Sequence, residues 1–309
     1  MTGLSKKKVL VTGSTGFVGS NVISEFTELG YEVVGVSRSK NISSHSLDIS
    51  GDTDWSNFLQ NVDLIVHCAA AVHQMNISED ILNKYHQTNV DGTLNLANQA
   101  KDIVKRFIFL STIKVNGEET IEEKFCADDN LNPGDPYSIS KTKAELGLMK
   151  IARSSEMEVV IIRPPLVYGP NPKGNLKKLT KFIVKGIPLP LGLVTHNSRS
   201  LLYLGNLVDF INVCAEHKAA KNETFLISDD SDLSTAGIIS LIGESLGVRV
   251  TLLPIPIFII KFLLRIIGKS DYEARLLGDL CLDVTKSKKL LNWKPKFSVQ
   301  EGFYNSFRR

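Results

Sequence analysis

The sequence predicts an α/β fold, a parallel sheet with helices on both faces followed by a smaller lobe. Three observations predict it. Short β-branched runs alternate with helical segments between residues 8 and 163, the pattern of a sheet buried on both sides. The first run passes straight into a glycine-rich turn and an apolar helical pattern. After Pro164 the punctuation changes, and Pro164, Pro165, Pro170, Pro172, Pro188 and Pro190 with several glycines mark where the chain leaves the sheet.

Taken in order, residues 8–11 read as a short buried strand, 12–19 as a glycine turn, and the following apolar pattern as a helix through Leu29. Residues 32–36 form a second strand, and a third ends in Asp48-Ile49. Residues 64–67 are a fourth, followed by a helix near 81–100. A fifth strand covers 106–111, a helix 137–153, and a sixth strand 159–163. Residues 225–228 are expected back at the sheet edge, so the division into a nucleotide-binding part (1–165) and a substrate lobe (166–309) is interleaved.

Composition bounds the function. With 309 residues, 43% hydrophobic and 22% charged, the chain is long enough for a large core. A net charge of +3, spread along the length without basic blocks or interleaved aromatics, excludes a nucleic-acid binder. Cys68, Cys126, Cys214 and Cys281 lie far apart, with no C-x-x-C and no histidine at metal-ligand spacing, so reduced thiols and no metal are expected. His73 and His86 read as structural. Residues 1–8 are too few to hold a signal-peptide core, which points to the cytoplasm. The apolar run 255–267 is too short to span a bilayer and carries Lys261 and Arg265, so a surface helix is expected there.

The turn is spaced Gly13-x-x-Gly16-x-x-Gly19. Glycines let backbone approach a pyrophosphate closely, and the N–H groups opening the next helix face its charge. Further on, Tyr137 and Lys141 stand four residues apart on one helix face. A phenol beside an ammonium is a proton donor, although bringing it from pH 10 to about 7 takes roughly 4 kcal/mol of differential stabilisation.

Together these motifs make the chain resemble the extended short-chain dehydrogenase/reductase family, the group of nucleotide-sugar epimerases, dehydratases and ketoreductases. The resemblance also covers His67-Cys68-Ala69-Ala70-Ala71, Asn89 opening a long helix, Ser111-Thr112, and Arg163-Pro164-Pro165-Leu166-Val167-Tyr168-Gly169-Pro170. It implies a Rossmann-type doubly wound sheet. It implies a dinucleotide held by Gly13, Thr15, Gly16, Phe17, Val18 and Gly19, with Asp48-Ile49 at the adenine, Ala69 to Ala71 along the cofactor's middle, and Asn89. Tyr137 is then the acid, Lys141 lowers its pKa and holds the nicotinamide ribose, and Thr112 donates to the same substrate oxygen. Ser37-Arg38-Ser39-Lys40 ends the second strand where a carboxylate would grip a free ribose 2′-hydroxyl. Arg38 suits a 2′-phosphate, so NADP(H) is favoured over NAD(H), with a solvated basic loop as the plainer alternative.

Departures from the family pattern narrow the reaction. Ile113 and Lys114 stand where dehydratases carry an acidic pair, so dehydration is not expected. Asn116 replaces a common Tyr and Leu166 a frequent Asn, and Ile113 with Leu166 suggests a wall for a deoxy or acetamido group. Arg199, Arg275 and Asn175 resemble the family's contacts to a nucleoside diphosphate. The resulting expectation is an NADP(H)-dependent 4-ketoreductase on a UDP-linked 4-keto-6-deoxy amino sugar for bacterial surface polysaccharide. The rival is an NAD-dependent UDP-hexose or UDP-N-acetylhexosamine 4-epimerase, and a more distant alternative is a noncatalytic NADP-sensing regulator. A homodimer through the 81–100 and 137–153 helices is a family-based expectation.

Overall fold

The computed structural model describes residues 6–39, 45–72, 78–172, 174–269 and 271–308; Lys40 and His73 lie outside them. Strands β1 (Lys8–Thr12), β2 (Glu32–Ser37), β3 (His45–Ser46), β4 (Leu64–His67), β5 (Arg106–Leu110), β6 (Glu158–Arg163) and β9 (Thr224–Leu226) form one parallel sheet in the order β3-β2-β1-β4-β5-β6-β9. β7 (Leu166–Tyr168) and β8 (Leu201–Tyr203) pair separately, also in parallel. Strand order reverses between β1 and β4, so the loops after these strands diverge and leave a crevice at their carboxyl ends.

The inner strands are apolar on both sides because helices cover both. On one face Val9, Val11, Val66 and Ile162 pack with α1 (Gly19–Glu28) and α6 (Leu204–Glu216). On the other, Leu10, Ile65, Phe107 and Ile161 pack with α3 (Gly92–Ala100) and α4 (Pro136–Arg153). After the separate β7–β8 pair, α6 packs on the sheet and β9 joins it at its edge. A third core joins α5 (Gly174–Val184), α7 (Thr235–Leu246), α8 (Ile257–Ile266) and α11 (Val299–Phe307). Two shorter helices, α9 (Asp271–Leu277) and α10 (Thr285–Leu291), lie between α8 and α11.

Two expectations are corrected. Asn89 does not open a helix. α2 (Glu79–Tyr85) runs through a π-helical turn, His86–Asp91, into α3, and Asn89 sits buried in that turn. The third strand stops at Ser46, short of Asp48-Ile49, because only Val36 and Ser37 find ladder partners there.

The helix that matters most is α4. Asp135 accepts from Ser138 N at 2.7 Å while Ser138 Oγ lies 3.1 Å from Asp135 N, a reciprocal cap, and Pro136 occupies the first turn where its missing N–H costs nothing. The cap is pinned from outside by Lys114, whose Nζ lies 2.5 Å from Asp135 Oδ2 and 2.9 Å from Glu118 Oε1. That fixes the start of α4, and with it Tyr137, two residues on.

Candidate active site

A cleft of about 450 Å³ lies over the carboxyl ends of β1, β2, β4 and β5. Its floor is the turn between β1 and α1. A Cβ at Gly19 would collide with the carbonyl oxygen of Gly13, and one at Gly13, where φ is +67°, would meet Ala69 N at 2.8 Å. Only glycine permits this fold of the loop. α1 opens with no side-chain cap and no acidic residue in its first turn, so its N-terminal dipole faces the cleft unneutralised.

Thirteen of the residues expected to hold a dinucleotide line this cleft: Gly13, Thr15, Gly16, Phe17, Val18, Gly19, Arg38, Asp48, Ile49, Ala69, Ala70, Tyr137 and Lys141. Arg38 and Asp48 are exposed at its mouth. Two others support the wall from behind. Asn89 accepts from Ala71 N at 2.7 Å and donates to Ala71 O at 3.0 Å and to Ser140 Oγ at 2.9 Å, clamping the loop after β4 onto α4. Sequence reasoning missed Thr88 in the π-helical turn and Ser111 after β5, both of which line the cleft. The buried hydroxyl of Ser111 finds no hydrogen-bond partner among the described residues. A glycine cradle, an uncapped helix start and an unspent buried hydroxyl fit a pyrophosphate-bearing dinucleotide.

At the inner end stands the pair from α4. Lys141 is buried; its Nζ donates to Leu110 O at 2.7 Å and lies 4.2 Å from the centre of the Phe109 ring. Burial pulls its pKa down to about 8, opposed by Glu145 one turn further along the helix. Glu145 is in turn held by Arg163 at the end of β6, with contacts of 2.7, 3.1 and 3.2 Å. Arg163 Nη1 is spent on Asn116 Oδ1 at 3.1 Å and Ala127 O at 3.0 Å. Asn116, which replaces a common family tyrosine, is therefore buried structure rather than a sugar contact.

Tyr137 departs from expectation. Its pKa is pushed well up, by burial first and then by the carboxylate of Asp135 and by Tyr85, whose ring meets it edge-on at 6.1 Å. Lys141 is not among the groups that shift it, and its ammonium is turned to Leu110 O and the Phe109 ring. The phenol is held protonated.

Thr112 lies outside the cleft lining. It is half-buried and caps the short 3-10 turn Ile113–Val115, its Oγ1 accepting from Lys114 N at 3.4 Å. No hydrogen bond joins it to Tyr137 among the described residues. Ile113 points into a small core with Ala127, Leu226 and Leu280, and Leu166 is exposed, so the expected apolar wall does not form. Arg199 donates to Ala274 O at 3.1 Å and Gly278 O at 3.0 Å, the end of α9. Burial and, more weakly, Arg275 disfavour its charge, which brings the two arginines near one another. Asn175 is exposed in the first turn of α5. None of these three lines the cleft.

Other titratable groups near the cleft are spent on structure. His67 bridges Thr12 Oγ1 (2.8 Å) and Thr93 Oγ1 (3.0 Å), and burial lowers its pKa to about 3, so it is neutral. Burial pushes the Cys68 thiol up to about 12. The described residues contain no cluster of metal-ligating side chains.

Fold and cleft together define a dinucleotide-dependent α/β enzyme with a Tyr-x-x-x-Lys pair. The sequence profile of the NAD-dependent epimerase/dehydratase family matches residues 9–228. The chain is 44% identical over 306 residues to a UDP-glucose 4-epimerase of Vibrio cholerae, covering 96% of this chain and 93% of that one. It is 29% identical over 286 residues to an N-acetyl-α-D-glucosaminyl-diphospho-ditrans,octacis-undecaprenol 4-epimerase of Escherichia coli O157:H7, covering 89% and 79%. A crystal structure of UDP-glucose 4-epimerase from Thermotoga maritima with UDP-glucose superposes with a TM-score of 0.76 at 25% identity, over 97% of both chains. UDP-glucuronic acid 4-epimerase of Bacillus cereus in complex with NAD shares the fold, with a TM-score of 0.78 at 23% identity over 97% of both chains. The chain belongs to the NAD-dependent epimerase/dehydratase family, within the extended short-chain dehydrogenases/reductases.

Proposed function

We propose that the protein is an NAD-dependent 4-epimerase of UDP-linked hexoses or N-acetylhexosamines. The observation that carries this reading is the 44% identity to the Vibrio cholerae UDP-glucose 4-epimerase over nearly the full length of both chains. A nicotinamide dinucleotide bound in the cleft supplies the redox partner for C4 of the sugar. The protein's own groups do the rest. Gly13, Gly16 and Gly19 receive the pyrophosphate, Arg38, Asp48 and Ile49 the adenosine half, and Lys141 the nicotinamide ribose. Tyr137 exchanges its proton with the C4 oxygen, and Thr112 donates to that same oxygen. Arg199, Arg275 and Asn175 hold the nucleoside diphosphate. The protein acts in the cytoplasm as a homodimer through the two helices at 79–100 and 136–153, which leave Leu82, Ile139 and Leu146 exposed.

Arg38 favours a second reading, NADP(H)-dependent reduction at C4 of a UDP-linked 4-keto-6-deoxy amino sugar. A guanidinium at the mouth suits a 2′-phosphate better than a free hydroxyl. The test denatures the purified protein, identifies the released nucleotide by mass spectrometry, and incubates the native enzyme with UDP-glucose and UDP-N-acetylglucosamine without added nucleotide. Released NAD(H) together with C4 inversion, seen by NMR, is the expected result. Turnover of UDP-4-keto sugars only when NADPH is supplied establishes the second reading instead.

A further inference from the structure

We propose that α8 is a docking surface for an anionic lipid bilayer. Six large apolar side chains on and just after this ten-residue helix face solvent: Phe258 (72% exposed), Phe262 (61%), Ile266 (64%), Ile259 (36%), Leu263 (51%) and Ile267 (63%). Phe258, Phe262 and Ile266 form one i,i+4 row, and Ile259 and Leu263 form the row beside it. Ile260, on the opposite side, is buried in the core with α7 and α11, so the lobe anchors the helix while the apolar rows face outward.

Charge selects the occupant. Lys261 and Arg265 form a cationic row along one edge of the apolar rows, with side chains 44% and 69% exposed, and α8 contains no acidic residue. Glu273 pairs with both, at 2.9 and 3.8 Å, which leaves an excess of positive charge on that edge. Lys269 follows, over the ring of Tyr272. A groove on the helix is lined by Phe258, Ile259, Lys261, Phe262 and Arg265, apolar floor beside cations. Apolar rows flanked by cations suit the boundary between acyl chains and anionic headgroups, where long basic side chains reach outward while their stems lie on hydrocarbon. A two-fold contact that pairs two copies of α8 antiparallel would bring their cationic edges near each other instead. No helix of the described residues is long and apolar enough to cross a membrane, so contact is in the plane of the surface.

The test is sedimentation of the purified full chain with vesicles of phosphatidylcholine alone and of phosphatidylcholine with phosphatidylglycerol. The wild-type protein is expected to partition at least about tenfold more onto the anionic vesicles, and to come off as salt is raised. Phe258→Ser/Phe262→Ser/Ile266→Ser is expected to lose about tenfold or more of that binding, and Lys261→Gln/Arg265→Gln to lose the preference for phosphatidylglycerol. Both variants keep the wild-type unfolding midpoint and turnover of soluble substrate, since the altered side chains are exposed. No retention on anionic vesicles at low salt, or retention unchanged in the triple serine variant, overturns the proposal. So does a halved solution mass of that variant by light scattering, which would make the patch an interface between copies.

Discussion

The ammonium of Lys141 donates to the carbonyl oxygen of Leu110 at 2.7 Å, at the end of the central strand β5, rather than serving the phenol one helical turn away. A buried cation with one backbone partner is costly to fold around, and its pKa of about 8 against an ordinary 10.5 expresses that cost. Below about pH 8 the group is charged in both folded and unfolded chains. Between about 8 and 10.5 the unfolded chain keeps a proton that the folded chain has released, so this residue makes stability rise with pH across that window.

Lys141→Met is therefore expected to stabilise the ligand-free protein at pH 7 by about 2 kcal/mol, the shift in pKa less the cost of leaving Leu110 O without its donor. The gain fades as pH passes 10, and turnover is lost at every pH. Chemical denaturation of both proteins at pH 7 and above 10 measures it. A variant less stable than wild type at pH 7 contradicts the burial argument.

Tyr137→Phe removes the protonated phenol and nothing that holds the fold. Its kcat is expected to fall by about 10²–10⁴, the usual worth of a positioned proton donor, with dinucleotide affinity changed only slightly. Steady-state kinetics beside a fluorescence titration of the dinucleotide separate the two effects.

Arg163 and Glu145 are a buried bidentate pair in which each side chain is almost fully enclosed. Arg163→Met strands the Glu145 carboxylate, and a loss of about 3–5 kcal/mol in unfolding free energy is expected. Arg163→Met/Glu145→Leu should recover most of it, because the desolvated charge goes with the second change. Urea titration of the wild type and both variants checks the order.

Arg38→Asp replaces the guanidinium at the cleft mouth by a carboxylate that repels a 2′-phosphate. Affinity for NADP should fall by roughly ten- to a hundredfold, the worth of a charged hydrogen bond, while affinity for NAD holds or rises. Titration of the nucleotide-stripped protein with each dinucleotide reads the ratio directly.

What the sequence revealed well was local. The strand–turn–helix at 8–28 and the Tyr137–Lys141 pair are legible because short-range periodicity and glycine spacing alone dictate them. What stayed hidden depends on register between distant segments. Arg163 stood in a motif, but its partner Glu145 becomes visible only when β6 is laid against α4. Thr88 entered the cleft because the 79–100 helix widens to a π turn, which no spacing rule announced. Ile113 was read as a pocket wall and is core, since the 3-10 turn that follows Thr112 rotates it inward. The lowered phenol pKa was expected from sequence distance along one helix face; burial and the direction in which Lys141 points reverse it.

The most direct test of the account follows the hydrogen at C4. UDP-glucose or UDP-N-acetylglucosamine deuterated at C4 is incubated with the enzyme as purified, in the presence of excess unlabelled free NADH. Epimerisation in the cleft predicts a C4-inverted product that keeps its deuterium. Inversion with the label lost to the free nucleotide, or no inversion at all, would contradict it.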